Sequence, residues 1–133
     1  MKLPSAVSPR PTEGELEILH VLWSHDGCTV REVHDVLRPS TSTGYTTTLK
    51  LLQVMHAKGL VERDDSQRAH VYRATISKER TQRSFLLDLV QRVFDGSSSN
   101  LVLHALGSKR ATREELRAIR AMLNKLDKDA SDE

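Results

Sequence analysis

The stretch STSTGYTTTLK, residues 40–50, holds five threonines, a tyrosine and a lysine, and the chain has no Asp or Glu from Val36 to Val61 although 29% of its residues are charged. The hydroxyls of Thr43, Thr46 and Thr47 can donate to or accept from phosphate and base oxygens, and a threonine methyl can meet a thymine methyl. Lys50 follows Thr46 by four residues, which on a helix puts both on one face. It supplies the cation for a phosphate or reaches a guanine. Gly44 lets backbone approach a sugar–phosphate edge, and Tyr45 offers a ring and a phenol. A carboxylate in this window would face phosphates, so the missing acids are themselves a signal.

Each of these residues alone has an ordinary explanation. A Ser/Thr run before a helix is commonly a loop and an N-cap, Tyr45 can pack against the first helix, and Lys50 can be solvated. Their combination points to nucleic acid. Catalytic chemistry finds no comparable support: His34-Asp35 and scattered serines occur, but no G-x-S-x-G elbow, P-loop or H-E-x-x-H. The expectation is a protein that is not an enzyme.

The elements around this stretch are readable from their punctuation. Thr12-Glu13-Gly14-Glu15 is a capping box that opens a helix through Leu16, Ile18, Leu19, Val21, Leu22 and Trp23, with a turn at Asp26-Gly27. Thr29-Val30-Arg31-Glu32 opens a second helix, ended by Pro39 and the Ser/Thr cluster. A third starts at Thr43 or Gly44 and stops at Lys58-Gly59. Next come a strand at 60–63, a turn at 65–68, and an alternating strand at 69–75 with Val71 on one face. Three short helices and a two-stranded hairpin, in that order, predict a winged helix-turn-helix. Its second motif helix lays its N-terminal residues along base edges. Thr29, as the cap of the preceding helix, can place amides on another phosphate. Arg63, Gln67 and Arg68 in the hairpin are within reach of backbone or minor groove, with Asp64 and Asp65 opposing them.

After Thr75 the composition shifts. A long amphipathic helix over 77–94 is broken by DGSSSN (95–100), followed by the short apolar helix LVLHAL (101–106), a GSKR loop, and a last helix opened by the capping box at Thr112. Leu116, Ile119, Leu123 and Leu126 step by three, four and three, the spacing of a helix–helix seam. That seam needs a partner, either elsewhere in the chain or in a second subunit, and because Leu101, Leu103 and Leu106 also need covering, a second subunit is the expectation. The expected organisation is a flexible arm over 1–11, a winged-helix domain over 12–75, and a helical dimerisation region over 76–133 with a protease-sensitive loop at 95–100. The fold class is mainly α with a small β-hairpin.

Bulk properties narrow the setting. The 133 residues carry a formal net charge of +2, and residues 1–75 hold nine basic and nine acidic side chains, so only a local basic face can meet DNA. The single cysteine, Cys28, excludes an internal disulfide and suits a reducing compartment. No apolar run has membrane-spanning length, and no signal peptide is evident. A cytoplasmic protein without membrane insertion is expected. The six histidines include no i, i+4 pair, and Cys28 with His34 is a poor ligand set. Neither metal nor cofactor is expected.

Four ordered blocks, PTEGELEILHVLW (11–23), TVREVHDVL (29–37), GYTTTLKLLQVMHAKGLVER (44–63) and RAHVYRA (68–74), resemble the penicillinase-repressor family of bacterial winged-helix transcriptional repressors, the BlaI, MecI and CopY group. NLVLHAL (100–106) and REELRAIRAMLNKL (113–126) are similar to that family's dimerisation region. The resemblance implies an antibiotic-response repressor that binds a palindromic double-stranded DNA operator as a homodimer, with recognition contacts at Gly44, Tyr45, Thr46, Thr47 and Lys50. Val54 departs from the arginine of many members, and Lys50 is placed to replace the lost phosphate contact. The resemblance also implies a membrane metalloprotease-sensor that cuts an Asn-Phe bond. That pair is absent here, and the matching bond is Ser97-Ser98. The copper-responsive branch uses paired cysteines near the C-terminus, which this chain lacks. The remaining alternative is a winged helix used as a protein-interaction or small-molecule-sensing module. Steep salt dependence of DNA affinity separates the readings.

Overall fold

A computed structural model of the chain describes residues 10–40, 42–108 and 110–132. The expected arm at 1–11 lies outside them except for Arg10 and Pro11, as do Thr41 of the Ser/Thr cluster and Lys109 of the GSKR loop. The elements run α1 (Glu13–Ser24), β1 (Cys28–Thr29), α2 (Val30–Leu37), a 3-10 turn (Arg38–Ser40), α3 (Tyr45–Lys58), β2 (Val61–Asp64), β3 (Val71–Ala74), α4 (Lys78–Arg92), α5 (Ser98–Ser108) and α6 (Arg113–Ser131). All three capping boxes form, at Thr12, Thr29 and Thr112, each with reciprocal bonds to the glutamate three residues on. α3 ends at Gly59, whose φ of 84° is the left-handed conformation that terminates a helix at little cost for glycine.

The first unit, which runs to Leu86, is a winged helix. Its core is built from Ile18, Leu19, Val33, Leu52, Met55, Val61 and Tyr72, all nearly inaccessible to solvent. The sheet has three strands in the order β1-β3-β2, all antiparallel, where the sequence suggested two. The third is the two-residue β1, with Cys28 opposite Tyr72 and Thr29 opposite Val71. On β3 Tyr72 is the buried residue and Val71 only half-buried, because α1 packs on the Tyr72 face of the sheet. Gly27, ahead of β1, has φ 89°, and a Cβ there would come within 3.0 Å of Val71 Cγ1, so the turn into the sheet requires glycine.

One buried ion pair joins the two ends of the helical layer. Glu15 is 2% exposed; its Oε1 accepts from the Thr12 amide at 2.9 Å and from Lys58 Nζ at 3.0 Å, and its Oε2 from Lys58 Nζ at 2.8 Å. Burial pushes this carboxyl up, but the Lys58 hydrogen bond, the Thr12 amide and the Lys58 charge together hold it below the ordinary glutamate value. The unit also reaches past Thr75, because the Trp23 indole N–H donates to the Ile76 carbonyl at 2.9 Å and Thr81 is buried.

The second unit begins at Leu87, within α4. Three boundaries differ from expectation. α4 stops at Arg92, where Asp95 (φ 51°) and Gly96 (φ 82°) turn the chain left-handed. The irregular segment is 93–97 rather than 95–100, since Ser98, Ser99 and Asn100 form the first turn of α5 and Ser97 Oγ accepts from the Asn100 amide at 3.1 Å. At the other end α5 continues through Gly107 and Ser108, residues expected in a loop. No described helix is long and apolar enough to cross a membrane.

Glu15 has a folded pKa below its unfolded one, so the pair's contribution is complete above the unfolded carboxylate value and is lost as pH falls through the folded value. Lys58→Met is expected to cost about 3 kcal/mol near neutral pH by stranding a buried carboxylate. It should also steepen stability loss on acidification less than in the parent chain, because the depressed value is gone. Urea titrations at neutral pH and near pH 4 check both; an unchanged midpoint at neutral pH would remove the pair from any stabilising role.

Candidate nucleic-acid interface

α3 divides cleanly into two sides. Thr48, Leu52 and Met55 are buried against the core, while Thr46, Thr47, Lys50, Gln53 and Val54 are exposed. The threonine run is therefore not uniform. Thr48 turns inward, its hydroxyl 3.3 Å from the buried His34 Nδ1, and Thr46 and Thr47 turn out beside Lys50. Gln53, one turn beyond Lys50 on the same side, escaped the sequence reading. Its spacing of three from Lys50 and seven from Thr46 was the available signal. No acid lies in the first turn of α3, and His56 and Lys58 lie in the last, the arrangement that complements the helix dipole at its C-terminus only.

Gly44 is the N-cap of α3 and makes no side-chain cap bond. Its φ is −86°, which any residue adopts, and a Cβ there meets nothing within 4 Å. The fold itself thus gives no reason for glycine at this exposed position. Serine would cap the helix better. A residue that is costly locally and unexplained internally fits one that must let something outside approach.

Tyr45 is partly exposed and braced rather than free. Its ring meets His34 edge-to-face at 5.9 Å, and the Arg31 guanidinium lies over it at 4.6 Å. Both partners come from α2, not from the first helix. Thr43 is exposed. Thr29 is wholly engaged: its hydroxyl accepts from the Glu32 amide at 3.2 Å and its own amide donates to the Glu32 carboxylate at 2.9 Å. The cap that was expected to offer amides to a phosphate holds a carboxylate of its own.

The hairpin separates its candidates. Arg63 lies on β2 with Nε 2.8 Å from Asp65 Oδ1, and the Tyr72 hydroxyl and Asp65 together hold the guanidinium above its ordinary pKa. It is occupied in organising the turn. Asp64 is likewise engaged, accepting from the Ser66 amide at 2.9 Å, and the Ser66 hydroxyl and amide together lower its pKa. Gln67 and Arg68 are exposed in the loop between the strands. Among the described residues no group of three or more His, Cys, Asp or Glu is placed to hold a metal ion.

In the second unit the seam residues are largely uncovered. Leu103 is 69% exposed and Leu123 and Leu126 each 55%, with Leu106 and Leu116 also exposed and Leu101 and Ile119 half-buried. Ala105, Leu106, Ala111, Ala118 and Ile119 line an open groove along α5 and α6.

Gly44→Ser is expected to leave the fold intact and raise stability by a few tenths of a kcal/mol. Thermal melts check this, and a clear loss of stability would show that the fold itself demands glycine there.

Residues 11–125 match the family model described as penicillinase repressor. The chain is 30% identical over 118 residues to the transcriptional regulator BlaI of Mycobacterium tuberculosis, spanning 86% of this chain and 84% of that protein. It is 25% identical over 119 residues to the penicillinase repressor of Bacillus licheniformis, spanning 86% and 90%. Among solved structures, the Bacillus licheniformis BlaI monomeric form in complex with the blaP half-operator matches with a TM-score of 0.49 at 25% identity, over 55% of this chain and 89% of that one.

Proposed function

The chain belongs to the penicillinase repressor family and is a DNA-binding transcriptional repressor; we propose that it works as a homodimer on a two-fold-symmetric operator and reads each half-site with the outer side of α3. The observation that carries this reading is the exposed, acid-free face of Thr46, Thr47, Lys50 and Gln53, entered through a glycine that the fold does not need. Thr46, Thr47 and Gln53 are the base-reading residues, since hydroxyls and a carboxamide can match donor and acceptor edges in the major groove. Lys50 neutralises a phosphate. Gln67 and Arg68 serve the backbone beside the wing. Thr29 and Arg63, both committed to internal bonds, act as supports. The protein acts by binding and not by catalysis, in the cytoplasm, where its operator lies.

The exposed leucines of α5 and α6 support the dimer. Leaving Leu103, Leu123 and Leu126 in water forgoes roughly 1.5–3 kcal/mol for each side chain that a partner would bury fully. Two linked half-site contacts then give the dimer an affinity that a single winged helix lacks. Release by a membrane metalloprotease-sensor at Ser97-Ser98 would uncouple them. Since Ser97 caps α5 and Ser98 is its first residue, cutting there requires that turn to unwind first.

Lys50→Ala is expected to weaken binding to all sequences and to reduce the slope of log affinity against log salt by about 0.9. Thr46→Ala or Thr47→Ala should instead cost about 1–3 kcal/mol on the operator alone. Fluorescence anisotropy on operator and random duplexes distinguishes them, and equal losses on both duplexes would take the threonines out of base reading. Leu123→Asp, or truncation after Ser97, should yield a folded monomer by sedimentation that binds the full operator no better than a half-site. A dimeric Leu123→Asp variant would place the interface elsewhere.

A further inference from the structure

We propose that Arg31 is a further phosphate-binding residue of this DNA surface, contributed by α2 and held in position by the ring of Tyr45; the inference rests on the operator-binding reading above. Its guanidinium carbon lies 4.6 Å from the Tyr45 ring centroid. That ring is itself fixed, with His34 edge-to-face at 5.9 Å and an interplanar angle of 81°. His34 is buried and its Nδ1 lies 3.3 Å from Thr48 Oγ1, on the inner side of α3. A chain of contacts therefore runs from the core outward, Thr48 to His34 to Tyr45 to Arg31. It crosses from α3 to α2, back to α3 and again to α2, and ends at Arg31 over the first residue of α3.

The chemistry follows from how the guanidinium is used. A ring face takes up no carboxylate-type acceptor, so the contact leaves the guanidinium N–H donors available to meet a phosphate in two parallel bonds. A guanidinium held over a ring is also pre-oriented, so less rotamer freedom is lost when the phosphate arrives. Among the described residues no carboxylate is paired with Arg31, although two acids are near in sequence. Glu32 turns its carboxylate back to the Thr29 amide at 2.9 Å, and Asp35, one turn on, makes no ion pair with Arg31. An exposed arginine stacked on a tyrosine, at the border of an acid-free helix face, is thereby a cation kept ready for an anion from outside. Tyr45 becomes a positioning residue whose ring matters more than its hydroxyl.

The test measures operator affinity between 50 and 200 mM salt for the full-length chain and for Arg31→Ala, Tyr45→Phe, Tyr45→Leu and the double variant Arg31→Ala/Tyr45→Leu. Arg31→Ala is expected to lose roughly tenfold in affinity and about 0.9 of the salt slope, with its melting temperature unchanged. Tyr45→Phe should keep the parent affinity, because the ring remains. Tyr45→Leu should lose affinity and slope as Arg31→Ala does, and the double variant should lose less than the product of the two single losses. An unchanged salt slope in Arg31→Ala, with Lys50→Ala still flattening it, overturns the proposal and leaves the α3 reading standing. Absence of salt-dependent operator binding by the parent chain overturns both.

Discussion

The carboxylate of Glu15 is the constraint on which the winged helix is assembled. It starts as half of a capping box, a purely local device that fixes where α1 begins. The same oxygens then receive Lys58 from the far end of α3, forty-three residues away. A buried charge is tolerated only when its lone pairs are filled, so α1 and α3 have one permitted relation at this point. Because Lys58 is also the last residue of α3, its engagement fixes the end of that helix, and Gly59 turns the chain away into β2. The outward face of α3 is consequently presented by a helix pinned near both ends, by Thr48–His34 at one and Lys58–Glu15 at the other.

That pinning explains how a nearly neutral unit can present a surface suited to DNA. Four acids of the first unit are spent inside the fold. Glu15 is buried under Lys58, Glu32 closes a cap, Asp64 organises the hairpin turn, and Asp65 pairs with Arg63. Each of these four carboxylates has a donor from its own fold. What remains unsatisfied on α3 is a set of hydroxyls, an amide and an ammonium. Local charge, rather than the +2 total, is what a phosphate backbone would meet.

Much of this was legible in the sequence where the determinants are short-range. The three capping boxes, the glycine stop at 59 and the order of the first three helices follow from spacings of three or four residues, and each forms as read. The outward role of Thr46, Thr47 and Lys50 was legible because helical periodicity separates them from Leu52 and Met55. What the sequence concealed depended on partners far along the chain. A strand of two residues, Cys28–Thr29, carries no periodic signal, so the third strand of the sheet went unread. Glu15 looked like a cap and nothing more. Ser98-Ser99-Asn100 looked like a loop because small polar residues serve both loops and first helical turns. Arg31 carries no signal of its own in the sequence; only the packing of α2 on α3 brings Tyr45 beneath it.

Thr29 has a double membership with a mechanical consequence. It is paired with Val71 in the sheet and is also the cap of α2. Strand and helix share that residue, with no linker between them to absorb strain. A fluctuation that lifts β3 away at Val71 withdraws the sheet's hold on the backbone whose amide and hydroxyl close the first turn of α2. Wing opening and fraying of α2 are thereby a single cooperative event, and the amides of both should exchange with solvent together, although they belong to elements usually drawn as separate parts.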